Sequence, residues 1–213
     1  MAVARKKKTS AARRRSGGRA AKVDRSTSET TIRVSIDLDG IGKASIDTGV
    51  PFLDHMLDAM SRHSLIDLKV EASGDTHIDD HHTVEDVGIA IGQALGDALG
   101  DKRGIGRFGT AEVPLDEALV AVTVDLSGRP YFVYNVKIRQ HRVGTFDVEL
   151  VNDFLQALMN GAKMNLHVNQ RYGRNAHHII EATFKALARA LKQAVAVDAR
   201  VRGVPSTKGT LTD

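Results

Sequence analysis

Two copies of one short motif have the residue types and spacing to hold a metal ion. His81-His82-Thr83-Val84-Glu85 and His177-His178-Ile179-Ile180-Glu181 both read His-His-x-x-Glu. Each opens a stretch with the apolar spacing of a helix. Residues four apart in a helix share a face, so His81 with Glu85, and His177 with Glu181, can reach one ion. Adjacent side chains point about 100° apart. His82 and His178 are therefore free to serve a different ion from their neighbours. This pattern predicts two crossed sites: His81, Glu85 and His178 in one, His177, Glu181 and His82 in the other. His55 and Asp153, which occupy matching positions, would each add a fourth ligand to one site. Imidazole and carboxylate without thiolate suit Mn(II), Fe(II) or Zn(II), and four ligands with open positions favour octahedral manganese. Helix capping is the plainer reading: Asp80 and Asn175 stand at N-cap positions, and Glu85 could be ordinary helix surface. The two readings do not exclude each other.

A second group could bind an anion. Arg107 sits in a glycine-rich loop, Arg129 follows Gly128, and Ser206, Thr207 and Lys208 form a polar run after the last helical stretch. Lys185 lies two turns beyond His177. Hydroxyls, amides and fixed cations hold a phosphate monoester, though each of these residues alone also reads as surface charge. Other sites are excluded. No His-Glu pair exists for a zincin motif. Gly104-x-Gly106-x-x-Gly109 has the letters of a dinucleotide loop but follows a helix rather than a strand.

The elements that position these residues come in duplicate. Glu29-x7-Asp37-Leu38-Asp39-Gly40 matches Glu117-x7-Asp125-Leu126-Ser127-Gly128. Leu53 to Leu57 matches Val151 to Leu155, Leu65 to Val70 matches Lys163 to Val168, and the His-His motifs match each other. The order is the same throughout, so the chain is an internal repeat. The offset grows between the first pair and the second, which places an insertion between strand and helix in the second half. Alternation predicts strands at Thr31–Asp39, Ile66–Ala72, Leu119–Leu126, Tyr131–Ile138 and Met164–Val168. Helical spacing predicts helices at Val50–Met60, Thr83–Leu99, Val148–Asn160 and Ile179–Val197. Each half thus reads strand-strand-helix-strand-helix, the two related by a pseudo-two-fold. Gly104, Gly106 and Gly109 mark the loop between them.

Composition closes several other routes. The chain has 213 residues and no cysteine, which excludes disulfides and thiolate chemistry. No apolar run is long enough to span a membrane, and the basic start is followed by no signal-peptide core. A cytoplasmic location is expected. Aromatics are only 4%, too few for a base-stacking platform. The net charge of +4 is uneven: residues 1–28 carry ten Lys/Arg against Asp24 alone. Residues 1–28 read as a disordered basic tail, 29–110 as the first repeat half, 111–205 as the second, and 206–213 as a phosphate-contacting end. A tail that attracts nucleic acid is the non-enzymatic alternative, but nucleic acid is not the expected partner. A dinuclear hydrolase is the enzymatic one, and metals that only join subunits a third.

Phe52-Leu-Asp-His-Met56, Asp80-His-His-Thr-Val-Glu-Asp86, Asn175-Ala-His-His-Ile-Ile-Glu-Ala182 and Pro205-Ser-Thr-Lys-Gly209 resemble the signature segments of the imidazoleglycerol-phosphate dehydratase family. The resemblance runs from about Glu29 to Leu211. It implies an α+β fold of tandem duplicated half-domains, with helices packed between two four-stranded sheets. It implies a hydro-lyase of histidine biosynthesis that converts imidazoleglycerol phosphate to imidazole-acetol phosphate, with two Mn(II) per active site gripping the ring as imidazolate. It implies a 24-subunit homo-oligomer with sites at subunit contacts. Carried over, His55, His82, His177 and Glu181 would hold one ion, and His81, Glu85, Asp153 and His178 the other. Some family members have histidine where this chain has Asp153. Glu29 would face the substrate as acid or base, and Glu181 would double as ligand and proton carrier. Arg107, Arg129, Lys185, His63, Ser206, Thr207 and Lys208 would hold the phosphorylated substrate. The length leaves no room for a phosphatase domain, so a single activity is expected.

Overall fold

The computed structural model describes residues 18–211. The first half runs β1 (Ala20–Ser26), β2 (Thr30–Asp37), β3 (Ala44–Asp47), α1 (Pro51–Ser64), β4 (Asp67–Gly74) and α2 (His81–Leu99). The second runs β5 (Phe108–Leu115), β6 (Ala118–Asp125), β7 (Tyr131–Asn135), a small hairpin of β8 (Arg142–Val143) and β9 (Phe146–Asp147), α3 (Leu150–Ala162), β10 (Asn165–Tyr172) and α4 (Ala176–Val195). The sheets are ordered β1-β2-β4-β3 and β5-β6-β10-β7. In each the last neighbour pairs in parallel and the others antiparallel. This is the duplicated α+β architecture that the sequence led us to expect.

Strand alternation sets which face is buried. In β2, Thr30, Ile32, Val34 and Ile36 point inward and are buried, as period-two geometry requires. Helices of one half cross onto those of the other: α2 packs on α3 and α1 on α4. The α2–α3 crossing is close because it is made by glycines. A Cβ at Gly92 would lie 2.4 Å from the Leu158 carbonyl, and one at Gly161 2.7 Å from that of Ile89. Phe154 of α3 stacks on Phe184 of α4 with centroids 5.4 Å apart, both fully buried. A single apolar cluster takes residues from both halves, so the repeats share one core.

Three strands of the two main sheets, and both strands of the β8–β9 hairpin, lie outside the strands expected from the sequence. The tail was expected to reach residue 28, yet Ala20–Ser26 is an edge strand pairing Val23 with Val34. Its inward Arg25 donates to Asp86 of α2 at 2.9 Å, and Asp86 also accepts from Thr30. Arg19 grips Asp39 and the Val195 carbonyl. Basic residues here tie the sheet to the helices. Residues 1–17, the rest of the expected tail, lie outside the described residues. Alternation predicts no strand at β3 or β5, and the expected glycine loop runs into the start of β5. Gly109 belongs to β5, where a Cβ would lie 1.9 Å from the Ala190 carbonyl. It is a close approach between strand and helix rather than a turn. Each half is therefore strand-strand-strand-helix-strand-helix. The inserted residues fall between β7 and α3, where they build the β8–β9 hairpin.

Candidate metal centre

Three donors converge where α1 meets α4. The Glu181 Oε2 atom lies 3.0 Å from His177 Nε2 and 3.4 Å from His55 Nε2. One ligand atom from each of the three lies within 4.8 Å of the others. His177 and Glu181 share a face one helical turn apart. Phe146 of the hairpin packs on Phe52, and the Phe52 ring meets His177 edge-on at 5.3 Å. Asn175 caps α4 by accepting from the His178 amide at 3.3 Å. The inserted hairpin thus props the site through two aromatic rings.

The repeat-related group is looser. His81 Nδ1 lies 3.5 Å from Asp153 Oδ2, and its Nε2 lies 3.9 Å from Glu85 Oε2. Different nitrogens of one ring face the two carboxylates. Asp80 holds the N-cap position of α2 without a cap bond. Its neighbour Asp79 accepts from the His81 amide instead, at 2.8 Å. Burial, with Asp79 and Asp147 nearby, pushes the Asp80 carboxyl upward.

His82 and His178 are not drawn to either triad of their own chain. His82 Nδ1 lies 3.0 Å from Asp75 and 3.9 Å from Glu29. His178 Nδ1 lies 2.7 Å from Glu117 Oε2. The other Glu117 oxygen accepts from the amides of Arg174 and Asn175 at 3.0 and 2.8 Å. Glu117 is accordingly pushed down to about 2, first by His178 and then by those amides, while His178 is raised by the same carboxylate. Asp75 raises His82 in the same way. Asp75 and Glu117 had no role in the sequence reading. The match of Glu117 to Glu29 in the repeat was the signal available.

The anion candidates separate into two places. Lys185 Nζ lies 2.7 Å from Glu181 Oε1, beside the first triad. Burial works to raise the Glu181 pKa, but Lys185 and His177 outweigh it and the net shift is downward. The His63 imidazole is pushed down by burial and then by Lys185 and Arg189. Arg107 is elsewhere. Its Nε and Nη2 bind both oxygens of Asp125 at 2.7 and 3.1 Å, and Nη1 donates to the Pro205 carbonyl at 2.9 Å. Those bonds use three of five guanidinium donors. Ser206, Thr207 and Lys208 follow in a turn where the Ser206 hydroxyl accepts from the Lys208 amide. Arg129 is exposed on the β6–β7 connection. The Arg107 amide bonds the Ala194 carbonyl in the last turn of α4, whereas His177 is in the first. Seventeen residues at 1.5 Å rise put the two backbones about 26 Å apart. One chain does not bring its own Arg107 to its own triad.

Imidazole and carboxylate donors converging at 3.0 to 3.4 Å fit a divalent transition ion. The fold defines a duplicated α+β protein with histidine and carboxylate side chains gathered at repeat-related helix ends. A family model described as imidazoleglycerol-phosphate dehydratase matches residues 48–191. The imidazoleglycerol-phosphate dehydratase of Geobacillus thermodenitrificans is 60% identical over 193 residues, covering 91% of this chain and 99% of its own length. That of Citrifermentans bemidjiense is 59% identical with the same coverage. The crystal structure of the Staphylococcus aureus enzyme superposes with a TM-score of 0.77 at 42% identity, covering 84% of this chain and 99% of that one. The Pyrococcus furiosus enzyme, in complex with (S)-C348, gives 0.77 at 39% identity, covering 88% of this chain and 99% of that one. The chain belongs to the imidazoleglycerol-phosphate dehydratase family, hydro-lyases of histidine biosynthesis. Among the described residues no helix is long and apolar enough to cross a membrane.

Proposed function

We propose that this chain dehydrates imidazoleglycerol phosphate to imidazole-acetol phosphate at a dinuclear manganese site shared between subunits. The observation that carries this is the split ligand set. His55, His177 and Glu181 converge, but His82, the fourth expected ligand, is held elsewhere on the same chain. In the repeat-related group His81 has Asp153 and Glu85 near its two ring nitrogens, at 3.5 and 3.9 Å, while His178 is held by Glu117. A second copy of the chain supplies the missing histidine, and the distance from Arg107 to His177 asks the same of the phosphate anchors. A closed homo-oligomer, 24 subunits as the family resemblance implies, satisfies every site at once. A cytoplasmic location goes with this reading.

When bound, the two ions would stabilise negative charge on the imidazole ring of the substrate. The rest is done by side chains. Glu29, half-exposed beside His82, takes or gives the proton at the substrate's carbon chain. Glu181 combines ligation with proton holding, and Lys185 keeps its carboxylate charged. Lys185 and His63 from one side, with Arg107, Arg129, Ser206, Thr207 and Lys208 from another, anchor the phosphate. Loss of one proton and one hydroxide gives an enol, which tautomerises to the ketone.

The test is product analysis with imidazoleglycerol phosphate before and after chelation. We expect the ketone, no inorganic phosphate, loss of turnover on chelation and recovery with Mn(II). Release of inorganic phosphate would point to a dinuclear hydrolase instead. Glu29→Gln should bind substrate yet lose about 10²-fold or more in kcat; normal turnover removes Glu29 from the chemistry.

A further inference from the structure

The duplication offers a comparison inside one molecule. Glu29 and Glu117 occupy the same repeat position, each one residue before a central strand. Their surroundings differ. Glu117 is clamped by His178 Nδ1 at 2.7 Å and by two backbone amides. The Glu29 carboxylate makes a 3.9 Å approach to His82 Nδ1, longer than a hydrogen bond. The difference traces to the connections that follow β4 and β10. Gly74 and Gly173 are counterparts, since a Cβ at Gly74 would meet Thr83 and Thr30 and one at Gly173 their repeat equivalents Ile179 and Ala118. The residue that follows is Asp75 in the first half and Arg174 in the second. Gly173 has φ +146°, and a Cβ there would lie 2.8 Å from Ile179 Cγ1 and 2.9 Å from Ala118 Cβ. The shorter connection, 173–175, lies tight enough on β6 to deliver its amides to Glu117. The longer one, 75–80, carries Asp75 instead, whose Oδ2 takes His82 Nδ1 at 3.0 Å. Its buried Oδ1 has no hydrogen-bond partner among the described residues.

We propose that Asp75 and Glu117 are matched positioning residues for His82 and His178, and that Asp75 releases Glu29 for the substrate. Each carboxylate takes Nδ1, fixes the ring and its tautomer, and leaves Nε2 as the ligand atom. In the second half the glutamate before the central strand holds the histidine. In the first half an aspartate from the connection after β4 does so. This rests on the dehydratase reading, in which His82 and His178 ligate metal and Glu29 meets substrate.

The test is Mn(II) binding to the metal-free, assembled protein, read as loss of the free-ion electron paramagnetic resonance signal, with no turnover involved. Asp75→Asn and Glu117→Gln should each weaken binding about tenfold or more. Glu29→Gln should leave it unchanged, although it is the repeat partner of Glu117. Oligomeric size without metal checks assembly, and Asp75→Ser replaces Asp75→Asn if that variant does not fold. An unchanged affinity in the Asp75 variant, or equal losses in Glu29→Gln and Glu117→Gln, overturns the proposal. If the unsubstituted protein binds no Mn(II), the metal reading itself fails and takes the proposal with it. If Glu29→Gln keeps both affinity and full turnover, only the release of Glu29 for catalysis is lost.

Discussion

Glu117 has the clearest consequence in solution at the scale of a single residue. Its folded pKa is pushed from 4.5 to about 2, chiefly by His178 and the two amides. A depressed carboxylate binds fewer protons folded than unfolded. Its stabilisation is present above about 4.5 and drains away as pH falls toward 2. His178 is raised, so its share is present below its ordinary 6.5 and is lost as pH rises through its folded value. The pair supports the metal-free protein most strongly between about 4.5 and 6.5. Thermal melts of metal-free protein should fall steeply below pH 4.5, and Glu117→Gln should flatten that slope; an unchanged slope contradicts the assignment. The converging His55, His177 and Glu181 were legible, because the His-His-x-x-Glu pair repeats and His55 aligns with Asp153. Asp75 was not. The residue at its place in the second half is Arg174, so comparing the halves gave no carboxylate to find.

At the scale of elements, the sequence shows best what is amphipathic and worst what is edge. The four helices and the inner strands carry clean periodicity. β1 does not: of its inward positions Ala21, Val23 and Arg25, one is an arginine, and basic composition masks the alternation. An edge strand rich in charge is a common guard against sheet-to-sheet pairing. Where a truncation ends therefore matters. Removing residues 1–17 should leave melting temperature and turnover unchanged. Removing 1–28 should lower the melting temperature clearly, since it strips β1 and the Arg25–Asp86 bond. Equal behaviour of the two truncations would contradict the edge-strand role. The α2–α3 crossing makes a second prediction. Gly92→Ala forces a methyl to 2.4 Å from the Leu158 carbonyl, and overpacking of this kind costs about 1–3 kcal/mol. Denaturant unfolding of the metal-free protein measures it, and a neutral result would mean the helices separate freely.

The whole molecule accounts for why the single chain looks unfinished. On the proposed metal reading each ligand set needs one more histidine, and Arg107 sits about 26 Å along α4 from His177. His82 and His178 are each bonded to a carboxylate of their own half, Asp75 and Glu117. Such an arrangement makes sense in an assembly where each active site is completed by other copies. The sequence pointed to crossed sites but not to how far apart the crossed partners lie in one chain, because that depends on the helix packing between halves. The most direct test is manganese anomalous diffraction from crystals of the assembled, metal-loaded protein. The account predicts two anomalous peaks per active site. One lies between His55, His177 and Glu181 of one subunit and His82 of another; the second lies between His81, Glu85 and Asp153 of one subunit and His178 of another. Peaks ligated by a single chain alone, or histidines 82 and 178 facing solvent in every neighbouring subunit, would contradict it.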